Sequence, residues 1–242
     1  MCEVNPRGTV AADRMAVMRH LPTETLLGPL SERERKFAPE SLHVWGDDAL
    51  LRLRTRVAVV GSRDATPAGL ARARRLATLL AGRGIAVVSG LALGIDGAAH
   101  HAALDAGGTT IAVMPTPLDA ISPRSHQALF DRIVRDHLAV SEFGPGSAVN
   151  KGNFVRRNRT MALVAHATVI IEAGEGSGTI SQGWEALRLG RPLFLAKSLA
   201  ERPDLTWPRE MIDYGALVLE EPDDLYEALP SGAPMSAAEL AF

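Results

Sequence analysis

A single cysteine, Cys2, stands in a chain of 242 residues, which excludes an internal disulfide framework and points to a reducing compartment, the cytoplasm. No apolar run approaches the ~18 residues that a membrane-spanning helix needs, and the first residues lack the apolar core of a signal peptide. Neither sign of charge dominates. Lys and Arg number 26 against 28 Asp and Glu, a net charge of −2, so the chain is not a generally basic binder and any nucleic-acid surface has to be local. G-x-x-x-x-G-K-[ST] occurs nowhere, which argues against P-loop nucleotide hydrolysis. G-x-G-x-x-G is also missing, and no acidic residue ends the second expected strand, which argues against NAD. His100-His101 has no metal-ligand spacing to another His or Cys. There is no internal repeat. With hydrophobic residues at 46%, the chain can build a core that needs neither disulfides nor metals, and neither metal nor cofactor is expected.

The pattern along the chain changes near residue 39. Residues 1–38 hold short apolar pieces between charges and prolines and read as an irregular extension with one or two short helices. From 39 to 230 short β-rich runs alternate with helical stretches. Val57–Val60, Ile85–Ser89, Thr110–Met114, Leu138–Ser141, Thr168–Ile171, Pro192–Leu195 and Ala216–Leu219 read as strands. Helices are expected from Thr66-Pro67 to Gly82, Gly94 to Ala106, Ser122-Pro123 to Asp136, Phe154 to Ala165, Ser177 to Leu189, and after Pro222. Such alternation implies an α/β, Rossmann-like, mostly parallel doubly wound sheet with helices on both faces. The tail, 231–242, reads as flexible. In this architecture ligands bind beyond the carboxyl ends of the strands, so the loops there are the places to search.

Four loops stand out. Gly61-Ser62-Arg63 offers close backbone approach, a hydroxyl and a guanidinium fork ahead of a helix N-terminus. Ser89-Gly90 opens a glycine-rich turn through Gly94 and Gly97. Asn150–Arg159 carries Lys151, Arg156, Arg157 and Arg159 around Phe154, with no acid. These cations suit a phosphate backbone with Phe154 stacked on a base, and equally a solvated helix face with Phe154 anchored in the core. Glu172–Thr179 holds Gly174, Gly176 and Gly178 with Ser177 and Thr179, a phosphate cradle or a capped flexible connection. Asp96 and His100, four apart, read as a local ion pair rather than part of a triad. Glu172 and Glu185 read as paired carboxylates or solvated side chains. No catalytic group is assigned.

In order and spacing these pieces resemble the DNA processing protein A (DprA/Smf) family. The resemblance rests on Val57–Arg63, Thr66-Pro67, Val88–Asp96, Ala98–His100, Thr110–Val113, Ser141–Gly146, Phe154–Arg159, Ser177-Gly178 and Gly190-Arg191, with Pro39–Gly46 as lead-in. It implies a cytoplasmic, dimeric, non-catalytic protein with an extended Rossmann-like domain. That protein binds single-stranded DNA and helps to load RecA recombinase during natural transformation. It also implies that Gly61, Ser62 and Arg63, Lys151 and Phe154, and Arg157, Asn158 and Arg159 contribute to the DNA pocket. The full expected binding set adds Ser89, Gly90, Asn153, Arg156, Ser177, Gly178 and Thr179.

The chain departs from the family pattern at Leu93, where a cation is usual, and at Val155, where proline is usual. It departs again at Thr179-Ile-Ser-Gln182, where the family continues Ser-Leu-Ile-Thr. A winged-helix domain is not expected, and the leading segment is short for the family's helical domain, which suggests a minimal form. The alternative readings are a nucleotide-binding sensor or a hydrolase resembling the LOG-type nucleoside monophosphate phosphoribohydrolases. Against the hydrolase, Gln182 occupies the place of the catalytic glutamate.

Overall fold

The structure, a computed structural model, describes residues 18–230. Nine strands form one sheet in the order β1-β2-β6-β5-β4-β3-β7-β8-β9. They are β1 (Arg19–Pro22), β2 (Ser41–Gly46), β3 (Arg56–Gly61), β4 (Ala86–Ser89), β5 (Thr110–Met114), β6 (Leu138–Ser141), β7 (Ala167–Glu172), β8 (Leu193–Ala196) and β9 (Leu217–Leu219). From β6 to β9 all pairings are parallel, whereas β1 and β2 run antiparallel along the β6 edge. The expected mostly parallel, doubly wound sheet is therefore present.

The helices are α1 (Thr23–Leu27), α2 (Glu32–Phe37), α3 (Leu50–Leu53), α4 (Pro67–Gly82), α5 (Ile95–Asp105), α6 (Gln127–Asp136), α7 (Lys151–Val164), α8 (Gly178–Leu189), α9 (Lys197–Ala200), α10 (Trp207–Asp213) and α11 (Pro222–Glu227). Strand β3 shows why the central runs are unbroken apolar sequence. Val57 and Val59 pack toward α4 and α5, while Ala58 and Val60 pack toward Met161 and Ala162 of α7, so both faces are buried. A third apolar cluster lies between α6 and the β5–β6 edge, around Phe130 and Ile133.

Local signals set the helix starts. The Thr66 side chain accepts from the Gly69 N–H ahead of Pro67, and the Ser177 hydroxyl accepts from the Thr179 N–H. Gly190 ends α8 in the left-handed conformation. Two helix starts differ from expectation by three residues or more. The segment at Ser122-Pro123 is extended at Pro123, followed by a single 3-10 turn, so α6 begins only at Gln127. Helix α7 begins three residues before Phe154, at Lys151.

Residues 18–38 hold two short helices, α1 and α2, as expected for the extension 1–38, but they are not irregular otherwise. Arg19–Pro22 pairs with Ser41–Val44, and Leu26 and Leu30 are buried in the core shared with β2. A four-residue strand closed by proline is too short to display a period, which is why it reads as loop. Residues 1–17 and the expected tail 231–242 lie outside the described residues.

Candidate nucleic-acid interface

The chain winds from β3 out to β6 on one side of the sheet, then returns to place β7 on the other side of β3. At that switch point the carboxyl ends of β3, β4 and β7 open into a cleft of about 530 Å³. Its walls are Gly61–Asp64 after β3, Ala92 and Asp96 after β4, the face of α7 bearing Phe154, Arg157, Asn158 and Met161, and Gly174–Thr179 with Gln182 leading into α8.

The turn after β3 is held close. The Ser62 N–H donates to the Glu172 carbonyl at 2.7 Å, and the Ser62 carbonyl accepts from the Ile95 N–H at 3.1 Å. A Cβ on Gly61 would lie 2.6 Å from Ile95 Cγ1 and 2.8 Å from the Glu172 carbonyl oxygen, so only glycine lets three chain segments converge there. Arg63 is exposed, with its guanidinium carbon 5.3 Å from the centre of the half-buried Phe154 ring. Arginine on a ring face is a weak cation–π pair that presents both groups at one lip of the cleft. The same pair also borders a smaller hollow of about 110 Å³ with Gly90, Leu93 and Arg157.

Arg157 reaches across the floor. Its Nε donates to Asn158 Oδ1 at 3.1 Å and its Nη1 to the Val113 carbonyl at 3.3 Å. Burial pulls its pKa down while Asp96 pulls it up; a guanidinium remains charged under either influence. Asp96 is likewise buried, and desolvation raises its pKa against the opposing pull of Arg157. Its carboxylate accepts from the Gly90 N–H at 3.0 Å, closing the β4–α5 turn. Within that turn Leu91 holds a φ of +57°, rare for a side chain with a Cβ, and its carbonyl lies 2.9 Å from His126 Nδ1. That conformation costs of order 1 kcal/mol and is held by the bonds to Gly90 and Leu91 around the turn. Asn158 Nδ2 donates to the Gly178 carbonyl at 3.1 Å, tying α7 to the start of α8.

Of the expected binding set, Gly61, Ser62, Arg63, Phe154, Arg157, Asn158, Ser177, Gly178 and Thr179 line the main cleft, and Gly90 lines the adjoining hollow. Lys151 stands exposed at the first position of α7 and does not line the cleft. Ser89 is fully buried, its hydroxyl donating to the Val59 carbonyl at 2.7 Å, so it secures the strand end. Asn153 is buried and donates to the Ala148 carbonyl at 3.1 Å.

Arg156 and Arg159 are directed elsewhere. Arg156 pairs with Glu142 at 2.8 Å, and Glu142 also takes the Thr160 hydroxyl. Arg159 pairs with Glu185 at 3.0 Å. With about 100° between successive residues on a helix, Arg157 is turned away from Arg156, and the acids that claim Arg156 and Arg159 lie 14 and 26 residues away along the chain. Glu172 and Glu185 are not a carboxylate pair: Glu172 accepts from the Thr66 N–H at 2.8 Å, and Glu185 holds Arg159. Nor do Asp96 and His100 pair, because His100 Nδ1 lies 2.6 Å from the Thr110 hydroxyl. Among the described residues no three His, Cys, Asp or Glu cluster as a metal requires, and no helix is long and apolar enough to cross a membrane. The expected binding set omitted the lining residues Val60, Asp64, Ala92, Asp96, Met161, Gly174, Glu175, Gly176 and Gln182; Gln182 was visible only as a break in a motif.

A parallel sheet whose switch point opens into a glycine-walled cleft defines a Rossmann-like protein with a pocket beyond its strand ends. The chain belongs to the DNA recombination-mediator protein A family, whose model matches residues 29–230. It is 30% identical over 209 residues to DNA processing protein DprA of Bacillus subtilis, an alignment covering 84% of this chain and 70% of that protein. Its fold is similar to that of Streptococcus pneumoniae DprA, with a TM-score of 0.77, 29% identity, and 91% of this chain and 77% of that chain covered. It is also similar to DNA processing protein A of Helicobacter pylori, which binds single-stranded DNA, with a TM-score of 0.72, 28% identity, and 82% and 92% covered. The chain spans as little as 37% of other curated relatives.

Proposed function

We propose that this chain binds single-stranded DNA through the switch-point cleft. One nucleotide unit sits in the cleft, and the strand passes over the Arg63–Phe154 lip. The observation that carries this reading is the convergence on a single cleft of Arg63, from the loop after β3, with Phe154 and Arg157, from one face of α7 some ninety residues later. A guanidinium and an aromatic ring at one lip match what a single strand offers, a phosphate and a base face at each step. Lys151, at the exposed end of α7, extends the cationic path beyond the cleft. In this reading the protein works in the cytoplasm as a dimer that protects single strands and passes them to RecA during transformation or recombination.

The role is binding rather than catalysis. Three carboxylates line the cleft: Asp96 is committed to the Gly90 N–H, Glu175 to the Thr206 N–H at 2.8 Å, and Asp64 stands exposed on the loop after β3; Gln182, in the place of the hydrolase glutamate, cannot act as a carboxylate base. A second reading, binding of a free mononucleotide, is supported by the cleft size of about 530 Å³, ample for one nucleotide. The test is equilibrium binding to labelled oligo-deoxythymidylate at two salt concentrations, with duplex DNA and nucleoside monophosphates as competitors. Salt-sensitive binding that prefers single strands is expected. Absence of oligonucleotide binding, with retention or turnover of a mononucleotide, overturns the proposal in favour of the sensor or hydrolase.

A further inference from the structure

Gln182 is 1% exposed, and both its Oε1 and its Nε2 lack a hydrogen-bond partner among the described residues. A primary amide can satisfy two donors and an acceptor, and leaving them unmet inside a protein is unfavourable. Buried amides are therefore normally bonded, and an unbonded one calls for a reason. Its place in the fold supplies one. Gly178, Thr179 and Gln182 face the cleft from the first turns of α8, with Asn158 and Met161 of α7 also in the lining. Val60, Ala92 and Met161 provide apolar lining suited to a flat ring, while the N-terminus of α8, capped by Ser177, favours negative charge at the rim.

Resting on the single-strand reading above, we propose that Gln182 is a base-reading residue: its amide pairs with the hydrogen-bonding edge of one nucleobase inserted between α7 and α8. The amide presents an acceptor and a donor side by side in one plane. The Watson–Crick edge of every common base presents a donor next to an acceptor, so a rotation of the amide matches any of them. The ligand class is thus a nucleotide unit with an intact base, and base insertion supplements phosphate capture. Asn158 does not fill this role, because its two polar ends are already used by Arg157 and Gly178.

The test compares wild type, Gln182→Met and Gln182→Glu on two oligonucleotides of equal length, one of deoxythymidine and one with abasic sites. Met preserves the length of the side chain without its polar groups; Glu preserves its shape but loses the donor. Wild type is expected to prefer the intact strand. Gln182→Met should bind that strand about tenfold more weakly while binding the abasic strand as wild type does. Gln182→Glu should lower the intact-to-abasic ratio as well, and Gln182→Met should melt no lower than wild type because it removes unmet polar groups. An unchanged affinity of both variants for the intact strand overturns the assignment, as does an equal loss on both strands. Failure of the wild type to bind either oligonucleotide overturns the single-strand reading and this inference together, whereas binding without an intact-strand preference overturns only the inference.

Discussion

Gly90 and Arg157 share one volume. A Cβ built on Gly90 would overlap the Nη1 of Arg157, lying 2.5 Å from its Cζ and 2.8 Å from Asp96 Oδ2. Since φ at Gly90 is not positive, the constraint is the guanidinium and not the backbone. Gly90→Ala should therefore expel Arg157 from the cleft floor. The expected cost is about 1–3 kcal/mol of stability, by analogy with overpacked cores, with weakened oligonucleotide binding alongside. Urea unfolding and equilibrium binding on the same preparation check both effects. Unchanged stability would mean that Arg157 has another place to go.

The central sheet was legible because a strand buried on both faces leaves a continuous apolar run ended by glycine, as at Val57–Gly61. The loops at the strand ends could be located on the same grounds. What sequence could not supply was direction. Arg156, Arg157 and Arg159 are equivalent as residue types, but Glu142 and Glu185, distant along the chain, draw off the first and last. Arg157 turns inward only because Gly90, 67 positions earlier, leaves room for it. β1 was illegible for a simpler reason: four residues hold too few alternations to define a period.

The cations should consequently divide by their effect on salt dependence. Arg63→Ala and Lys151→Ala should each weaken oligonucleotide binding and reduce the slope of log affinity against log salt by about 0.7, as expected for loss of one phosphate contact on a single strand. Arg156→Ala and Arg159→Ala should leave that slope unchanged. Each instead leaves a nearly buried carboxylate short of a partner, with Glu142 and Glu185 side chains 6% and 5% exposed. Roughly 1–2 kcal/mol of stability should be lost. A reduced slope in Arg159→Ala would contradict the commitment of that side chain to Glu185.

His100 supplies a pH dependence. Burial, reinforced by the nearby His126 and His101, pushes its pKa down from 6.5 to about 3. Between those values the unfolded chain takes up a proton that the folded chain refuses, so stability must fall as pH drops through that window. The slope for one such group is roughly 1.4 kcal/mol per pH unit. Melting temperature should thus decline between about pH 6.5 and pH 5, and His100→Leu should flatten the decline. Its Thr110 neighbour keeps a bond from its own hydroxyl to the Val87 carbonyl at 2.9 Å. A decline equally steep in the variant would assign it to other groups, such as His166, whose pKa is also pushed down to about 3.

Phe154 should separate stacking from charge. Removing its ring in Phe154→Ala should weaken oligonucleotide binding by about 1–3 kcal/mol, the range for one aromatic–base stack. The salt slope should not change, because no cation is lost. Arg63 rests on that ring, however, so the two side chains act at one lip and their effects should not add. The double variant Arg63→Ala/Phe154→Ala is expected to bind more tightly than the sum of the single losses predicts. Strict additivity would mean that Arg63 meets its phosphate independently of the ring, and that the lip is two separate contacts with the strand.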